Sequence, residues 1–246
     1  MASNSDNSHA KNVTNFDSLI SAVLIIGNDY KPTKESIKLP ALQALLASAN
    51  ESLIALKNAE SANSTAIDVR ELAYKPLGSL FTKINNALKA SSSSVQADKT
   101  AQTIFRRLQG KRASAKITDE EKKSLEADGI GINQISASQM GYNERVNNFE
   151  KLIAFLQTIP EYNPNEEELK IETLQTLLSD LKAKNSEVMK TYLVLETARG
   201  VRNGILYKPL TGIVDISLNI KSYIKSVFGA TSTQYKLISK LRFVKI

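Results

Sequence analysis

The tetrapeptide Tyr-Lys-Pro-Leu occurs twice in this chain, at residues 74–77 and 207–210. Each copy follows an apolar stretch that holds Val-Arg: VRELAYKPL begins at Val69 and VRNGILYKPL at Val201. A repeat of this kind constrains the fold more than any composition, because self-similarity at a fixed period marks one structural unit used twice. The offset here is 132 to 133 and holds along the chain. Phe16, Leu19 and Ile20 match Phe149, Leu152 and Ile153. Tyr30 and Pro32 match Tyr162 and Pro164, and Leu42, Leu45 and Leu46 match Leu174, Leu177 and Leu178. Farther on, Thr100, Ile104 and Leu108 match Thr233, Leu237 and Leu241. The matches keep their order, so the sequence predicts an internal duplication.

Each copy predicts the same series of helices. Apolar residues three and four apart give a first helix over about 8–26 and 138–158. A turn follows, and Asn165 is expected to cap the next helix, with Glu166, Glu167 and Glu168 in its first turn. That second helix is long, reaching about Leu72 and Leu206. Pro40 forces a break or a start in the first copy. Proline suits the first turn of a helix, where its missing N–H is not needed, so Pro76 and Pro209 are expected to open a third helix. The Tyr-Lys-Pro phrase is then a tight corner, formed by Arg70, Tyr74 and Pro76 in one copy and Arg202, Tyr207 and Pro209 in the other. Each arginine is expected to cap the carbonyls that end helix two or to meet an interior acid. A last, basic helix is expected after Asp98 or Ser232.

Short connections between four helices imply an antiparallel bundle. The expected fold is all-α, with two tandem, internally duplicated antiparallel bundles of about four helices each. Their expected bounds are 1–110 and 138–246. Between them, 111–137 reads as a polar linker whose Thr118 and Glu121 form a capping box on a short helix. Ten glycines and six prolines in 246 residues agree with a helical chain rather than a sandwich or barrel.

The chemistry expected of such a chain is sparse. It has no cysteine and one histidine, His9, placed in a frayed N-terminus. No serine triad, histidine metal site or phosphate loop is expected, and the runs 119–121 and 166–168 read as helix-start carboxylates. We therefore expect no catalytic residue, cofactor, metal or small-molecule ligand. The polar opening MASNSDNSHAK predicts no secretory leader, and no run of about 18 apolar residues predicts a membrane span. A cytoplasmic protein is the expectation.

Charge supplies the remaining signal. The formal net charge is +7. Residues 98–116 hold six basic residues against one acid, and 208–246 hold seven against one, while 117–168 hold eleven acids against four bases. In the segment YKLISKLRFVKI, Leu237, Ile238, Leu241 and Val244 fall on one helical face. The expected basic interaction surface is Lys99, Arg106, Arg107, Lys236, Lys240, Arg242 and Lys245. Three uses fit it: a scaffold or protein-interaction module able to self-associate, a nucleic-acid binder, and, last, a membrane-active bundle. The stretches SQMGYNERVNNFEKLIAFLQTIPEYNPNEEELK and FGATSTQYKLISKLRF make the chain resemble uncharacterised bacterial proteins built from tandem helical repeats. That resemblance implies a helical fold and carries no activity.

Overall fold

The computed structural model describes residues 4–110 and 140–246, with side chains from His9 onward. The expected linker 111–137, its capping box and the acidic run 119–121 lie outside the described residues. Among the described residues every regular element is helical. In chain order these are α1 (Asn4–Ile26), α2 (Leu39–Tyr74), α3 (Leu77–Ala90), α4 (Val95–Leu108), α5 (Tyr142–Leu156), α6 (Ile171–Tyr207), α7 (Ile213–Phe228) and α8 (Thr233–Ser239). Single 3-10 turns at Glu35–Ile37 and Glu167–Leu169 precede α2 and α6.

Helices α2 and α6 run for 36 and 37 residues and bury only one narrow stripe each. Leu42, Ala49 and Leu56 recur at seven-residue spacing, the period of a two-helix seam. Along α6 the buried positions are Leu174, Leu178, Leu181, Leu195, Arg202 and Leu206. Pro40 sits in the first turn of α2, where it starts the helix rather than breaking it.

The chain divides into two compact units, and they do not follow the two sequence repeats. The first unit joins Met1–Ser64 to Thr191–Ile246. Its core packs Phe16, Leu19, Ile20 and Val23 of α1 on Leu42 and Ala49 of α2, Leu206 of α6, and Ile213, Ile216, Ile220 and Ile224 of α7. Leu56 and Ala59 meet Leu195, and Thr191 donates to Asn63 at 3.2 Å, so α2 and α6 run antiparallel here. His9 lies against Tyr207 and Tyr30 against Tyr223, so α1 and α7 run side by side in one direction.

The second unit is Thr65–Lys190. Here Tyr74, Leu77, Phe81, Ile84 and Leu88 pack with Phe105 and Leu108 of α4 and with Phe149, Leu152, Ile153 and Leu156 of α5. The rings of Phe81 and Phe149 lie 5.3 Å apart. Leu174, Leu178 and Leu181 of α6 complete this core.

The expected order, helices 1–110 in one bundle and 138–246 in the other, is therefore corrected. The physical reason is the length of α2. An unbroken 36-residue helix rises about 54 Å, so the helix before it and the helix after it cannot share one core. Helix α1 packs instead with α7, and α5 with α3.

Local features recur at the expected offset. Tyr30 donates its hydroxyl to the Ile37 carbonyl at 2.7 Å, and Tyr162 does the same to Leu169 at 3.0 Å. Lys38 pairs with Glu35, and Lys170 with Glu167. Outside that offset, 138 residues apart, Ser94 and Ser232 cap α4 and α8, each accepting from a backbone N–H at 3.1 Å.

Four expectations change. Asn165 caps no helix: the acids after it form a separate 3-10 turn, where Glu168 pairs with Lys83. Asp98 is not a cap but accepts from Ser93 inside α4. Pro209 does not open α7, which starts at Ile213. The match of Thr100, Ile104 and Leu108 with Thr233, Leu237 and Leu241 also fails, because Ser94 and Ser232 set the last helices in another register. Leu108 is buried while its match Leu241 is only half-buried, and Ile104 is half-buried while Leu237 is 53% exposed. By length and composition alone, one helical stretch is long and apolar enough to cross a membrane. Within Leu39–Ala90 one 18-residue window has a mean hydropathy of 1.3, and 22% of it is buried.

Each large α1 side chain contributes about 1.5–3 kcal/mol through burial. Those partners lie mostly beyond residue 205, and the net stability of a domain is only about 5–15 kcal/mol. We expect fragments 1–110 and 138–246 to show no cooperative melt alone and to regain one when mixed in equal amounts. Circular dichroism decides it; two fragments that each melt cooperatively would contradict the interleaved packing.

Burial, aided by nearby Glu166, raises the Tyr162 hydroxyl to about 12, and burial with Tyr223 raises Tyr30 further still. Above the ordinary value of 10.0 the unfolded chain sheds these protons while the folded chain keeps them. Stability is therefore expected to fall as pH climbs from about 10 to 12. Replacing both tyrosines by phenylalanine lowers the melting temperature at pH 8, through the lost hydrogen bonds, and flattens its alkaline decline. An unchanged alkaline slope in the double variant would show that other groups govern it.

Candidate functional site

Both Tyr-Lys-Pro corners exist, and each is closed by residues the sequence reading did not single out. In the second unit α2 ends at Tyr74, and Leu80 donates to the Pro76 carbonyl at 3.1 Å as α3 begins. The Tyr74 ring meets Tyr142 edge-on at 4.8 Å, and its hydroxyl donates to the Tyr142 carbonyl at 3.3 Å. Arg70 places its guanidinium 3.8 Å above the Tyr142 ring. Arg145 lies 5.2 Å from the Tyr74 ring and reaches its carbonyl at 3.5 Å. Arg70 therefore stacks on an aromatic face instead of capping α2, and it is Arg145 of α5 that approaches the terminal carbonyl.

The buried Nε atoms of Arg70 and Arg145 find no hydrogen-bond partner among the described residues. Burial raises the Tyr74 hydroxyl above its ordinary value, a shift that Asn185, Arg145 and Arg70 oppose. Beside the corner lies an open cavity of about 730 Å³, lined by Asp68, Glu71, Lys75, Tyr142 and Arg145 among others. Two carboxylates face two cations there, so the wall carries no net sign.

The corner of the first unit keeps the frame and changes the chemistry. His9 and Asn12 stand where Tyr142 and Arg145 stand in the other copy, again 133 residues apart. Tyr207 lies 2.6 Å from His9 Nδ1, and Asn12 donates to the Tyr207 hydroxyl at 3.3 Å. The direction of the His9–Tyr207 bond follows the imidazole tautomer, and the Tyr207 oxygen accepts from Asn12 in either case. His9 is thus a buried part of the corner, not a frayed end. Arg202 is also buried and donates to Asn203 through Nε and Nη2, at 3.1 and 3.0 Å. The chain after Pro209 turns through Leu210 at φ +68, held by a 2.9 Å bond from its N–H to Asp215. Gly212 allows the return: a Cβ there would sit 2.7 Å from the Lys208 nitrogen. These extra residues are why Pro209 does not begin a helix.

The residues of the expected basic surface divide between the two units. Lys99, Arg106 and Arg107 lie on α4 in the second unit, where Arg106 donates to Thr103 at 3.2 Å. Lys236, Lys240, Arg242 and Lys245 belong to the first unit. The expected amphipathic helix through Val244 is corrected, because α8 ends at Ser239. Residues 241–246 form no helix and run along α1 instead. Asn12 donates to the Val244 carbonyl at 2.8 Å and accepts from its N–H at 3.1 Å. Asn15 donates to the Arg242 carbonyl at 2.7 Å. Lys221 holds the Leu241 carbonyl, and burial depresses its ammonium. Lys245 pairs with Asp215 at 2.8 Å and, with the Leu210 N–H, holds that carboxyl below its usual value.

His9, Asn12, Asn15, Tyr142 and Arg145 carried one usable signal, their fixed offset from the repeated corner. Among the described residues no group of three or more metal-ligating side chains comes together. Comparison with protein-family models, with curated proteins and with solved structures gives no match.

The stacked pair at the second corner predicts a measurable cost. Replacing Tyr142 by leucine removes an aromatic contact and a cation–π contact, together worth about 2 kcal/mol. Tyr142→Phe keeps both rings and is expected to cost less than about 0.5 kcal/mol. Urea titrations of the two variants test this, and equal stability of the leucine variant and the parent would remove the corner's energetic role.

Proposed function

We propose that this chain is a non-enzymatic helical interaction module, built by internal duplication, with its first unit as the working surface. The observation that carries this is charge. By sequence the first unit holds 14 Lys and Arg against 8 Asp and Glu, and the second 18 against 17, so six of the seven net charges fall in the first. Duplication is supported by the paired tyrosine clamps, the paired ion pairs ahead of α2 and α6, and the two serine caps. The partner that fits is an acidic protein surface, and by sequence a second copy offers eleven acids against four bases in 117–168.

Nucleic acid fits the charge but not the aromatics. Tyr235 and Phe243 are packed against the core beneath Lys225 and Lys221, so they do not stand free to stack on bases. Catalysis finds no support in a chain whose one histidine is spent on a buried hydrogen bond to Tyr207.

Size-exclusion chromatography with light scattering, at low and high salt and with absorbance at 260 and 280 nm, tests this reading. The expected result is an assembly larger than a dimer at low salt that falls to nothing larger than a dimer at high salt and shows no excess at 260 nm. Since the chain has no tryptophan, bound nucleic acid would dominate that signal, and its loss in salt would move the reading to a nucleic-acid binder. A monomer in both buffers would overturn self-association.

A further inference from the structure

Residues 241–246 are held as a bound peptide is held. The Asn12 side-chain amide makes both bonds to the Val244 backbone, which is the pairing that one rung of a β-ladder supplies. One turn along α1, Asn15 takes the Arg242 carbonyl two residues back, so the segment runs antiparallel to α1. From the other wall Lys221 of α7 takes the Leu241 carbonyl and lies 5.6 Å from the Phe243 ring. Leu241 and Phe243 are half-buried against the core, while Arg242, Val244, Lys245 and Ile246 are exposed. Lys245 then meets Asp215.

The floor and the occupant differ in kind. Asn12 and Asn15 are buried, at 2% and 7% exposure, whereas no residue of 241–246 is buried. The segment is an outer layer on a polar strip that belongs to the helices. Its backbone contacts read no particular sequence. Selection rests on two apolar residues at alternate positions and a cation two residues beyond the second.

We propose that the groove between α1 and α7 is a binding site for an extended peptide, filled by the chain's own residues 241–246 and open to the same segment of a second copy. Copies then exchange these segments. The inference builds on the reading of the chain as an interaction module but not on its charge, and so it is tested where charge attraction is screened. The probe is a labelled peptide of residues 240–246, followed by fluorescence anisotropy in about 0.5 M salt.

A chain ending at Lys240 is expected to bind this peptide at one site. The full chain is expected to bind at least about ten-fold more weakly, because its own segment competes. Asn12→Ala with Asn15→Ala in the shortened chain, or alanine at Leu241 and Phe243 in the peptide, is expected to weaken binding about ten-fold or more. By light scattering in the same salt, dimers form with the full chain and not with the shortened one. A shortened chain that keeps its helical signal yet ignores the peptide, or binds a scrambled peptide equally well, overturns the site. Dimers that persist without residues 241–246 overturn the exchange. Should the shortened chain lose its fold, the full chain with Leu241→Ala and Phe243→Ala loosens the segment instead, and failure to bind there counts equally against the proposal.

Discussion

The α2 and α6 seam is narrow, and the rest of the fold compensates for it. Two helices that touch along one stripe bury little, and polar residues interrupt this stripe where Asn63 meets Thr191. Between Leu181 and Leu195 no residue of α6 is buried, and between Ala59 and Tyr74 none of α2 is. Such a pair is marginal alone, because most helix stability comes from tertiary packing of an apolar face. Each unit therefore depends on the shorter helices that cover it. In the first, the α1 face of Phe16, Leu19 and Val23 closes on the isoleucine face of α7; in the second, Phe149 of α5 closes on Phe81 of α3. Exposed apolar residues such as Leu193 and Val194 mark the stretch that no described short helix covers.

Local structure was legible in the sequence because it depends on short-range chemistry. The seven-residue spacing of Leu42, Ala49 and Leu56, the proline at α3 and the serine cap at α8 are fixed by neighbours in the chain. Partner choice was harder. Phe16, Leu19 and Ile20 show the same spacing as Phe149, Leu152 and Ile153, so periodicity does not say which copy each helix serves. The information was present all the same. A second helix reaching Tyr74 without a break separates the helices at its two ends, and short loops at either end do not bring them together.

The two corners show why equal frames do not mean equal sites. Tyr74 and Tyr207 hold the same place, yet one meets a tyrosine and an arginine and the other a histidine and an asparagine. Counted from the first residue of each helix, Phe81 in α3 corresponds to Ser217 in α7, a buried hydroxyl without a partner among the described residues. Composition registers none of this. The repeat offset does: the residues 133 before Tyr142 and Arg145 are His9 and Asn12, and a corner tyrosine implies a partner on a first helix.

Residues 237–246 were ambiguous for a reason that periodicity alone does not remove. Leu237, Ile238, Leu241 and Val244 suit a helix, while Leu241 and Phe243 flanking Arg242 suit an extended chain, and ten residues satisfy both patterns. The choice rests on α1. A helix there would satisfy its own backbone and leave the buried amides of Asn12 and Asn15 without the Val244 and Arg242 backbone groups they bind. Those bonds exist only with the segment extended, whereas an isolated helix of this length is marginal in water. A polar pair on α1, more than 220 residues away, therefore decides the conformation of this segment, and no window of its own sequence contains that information.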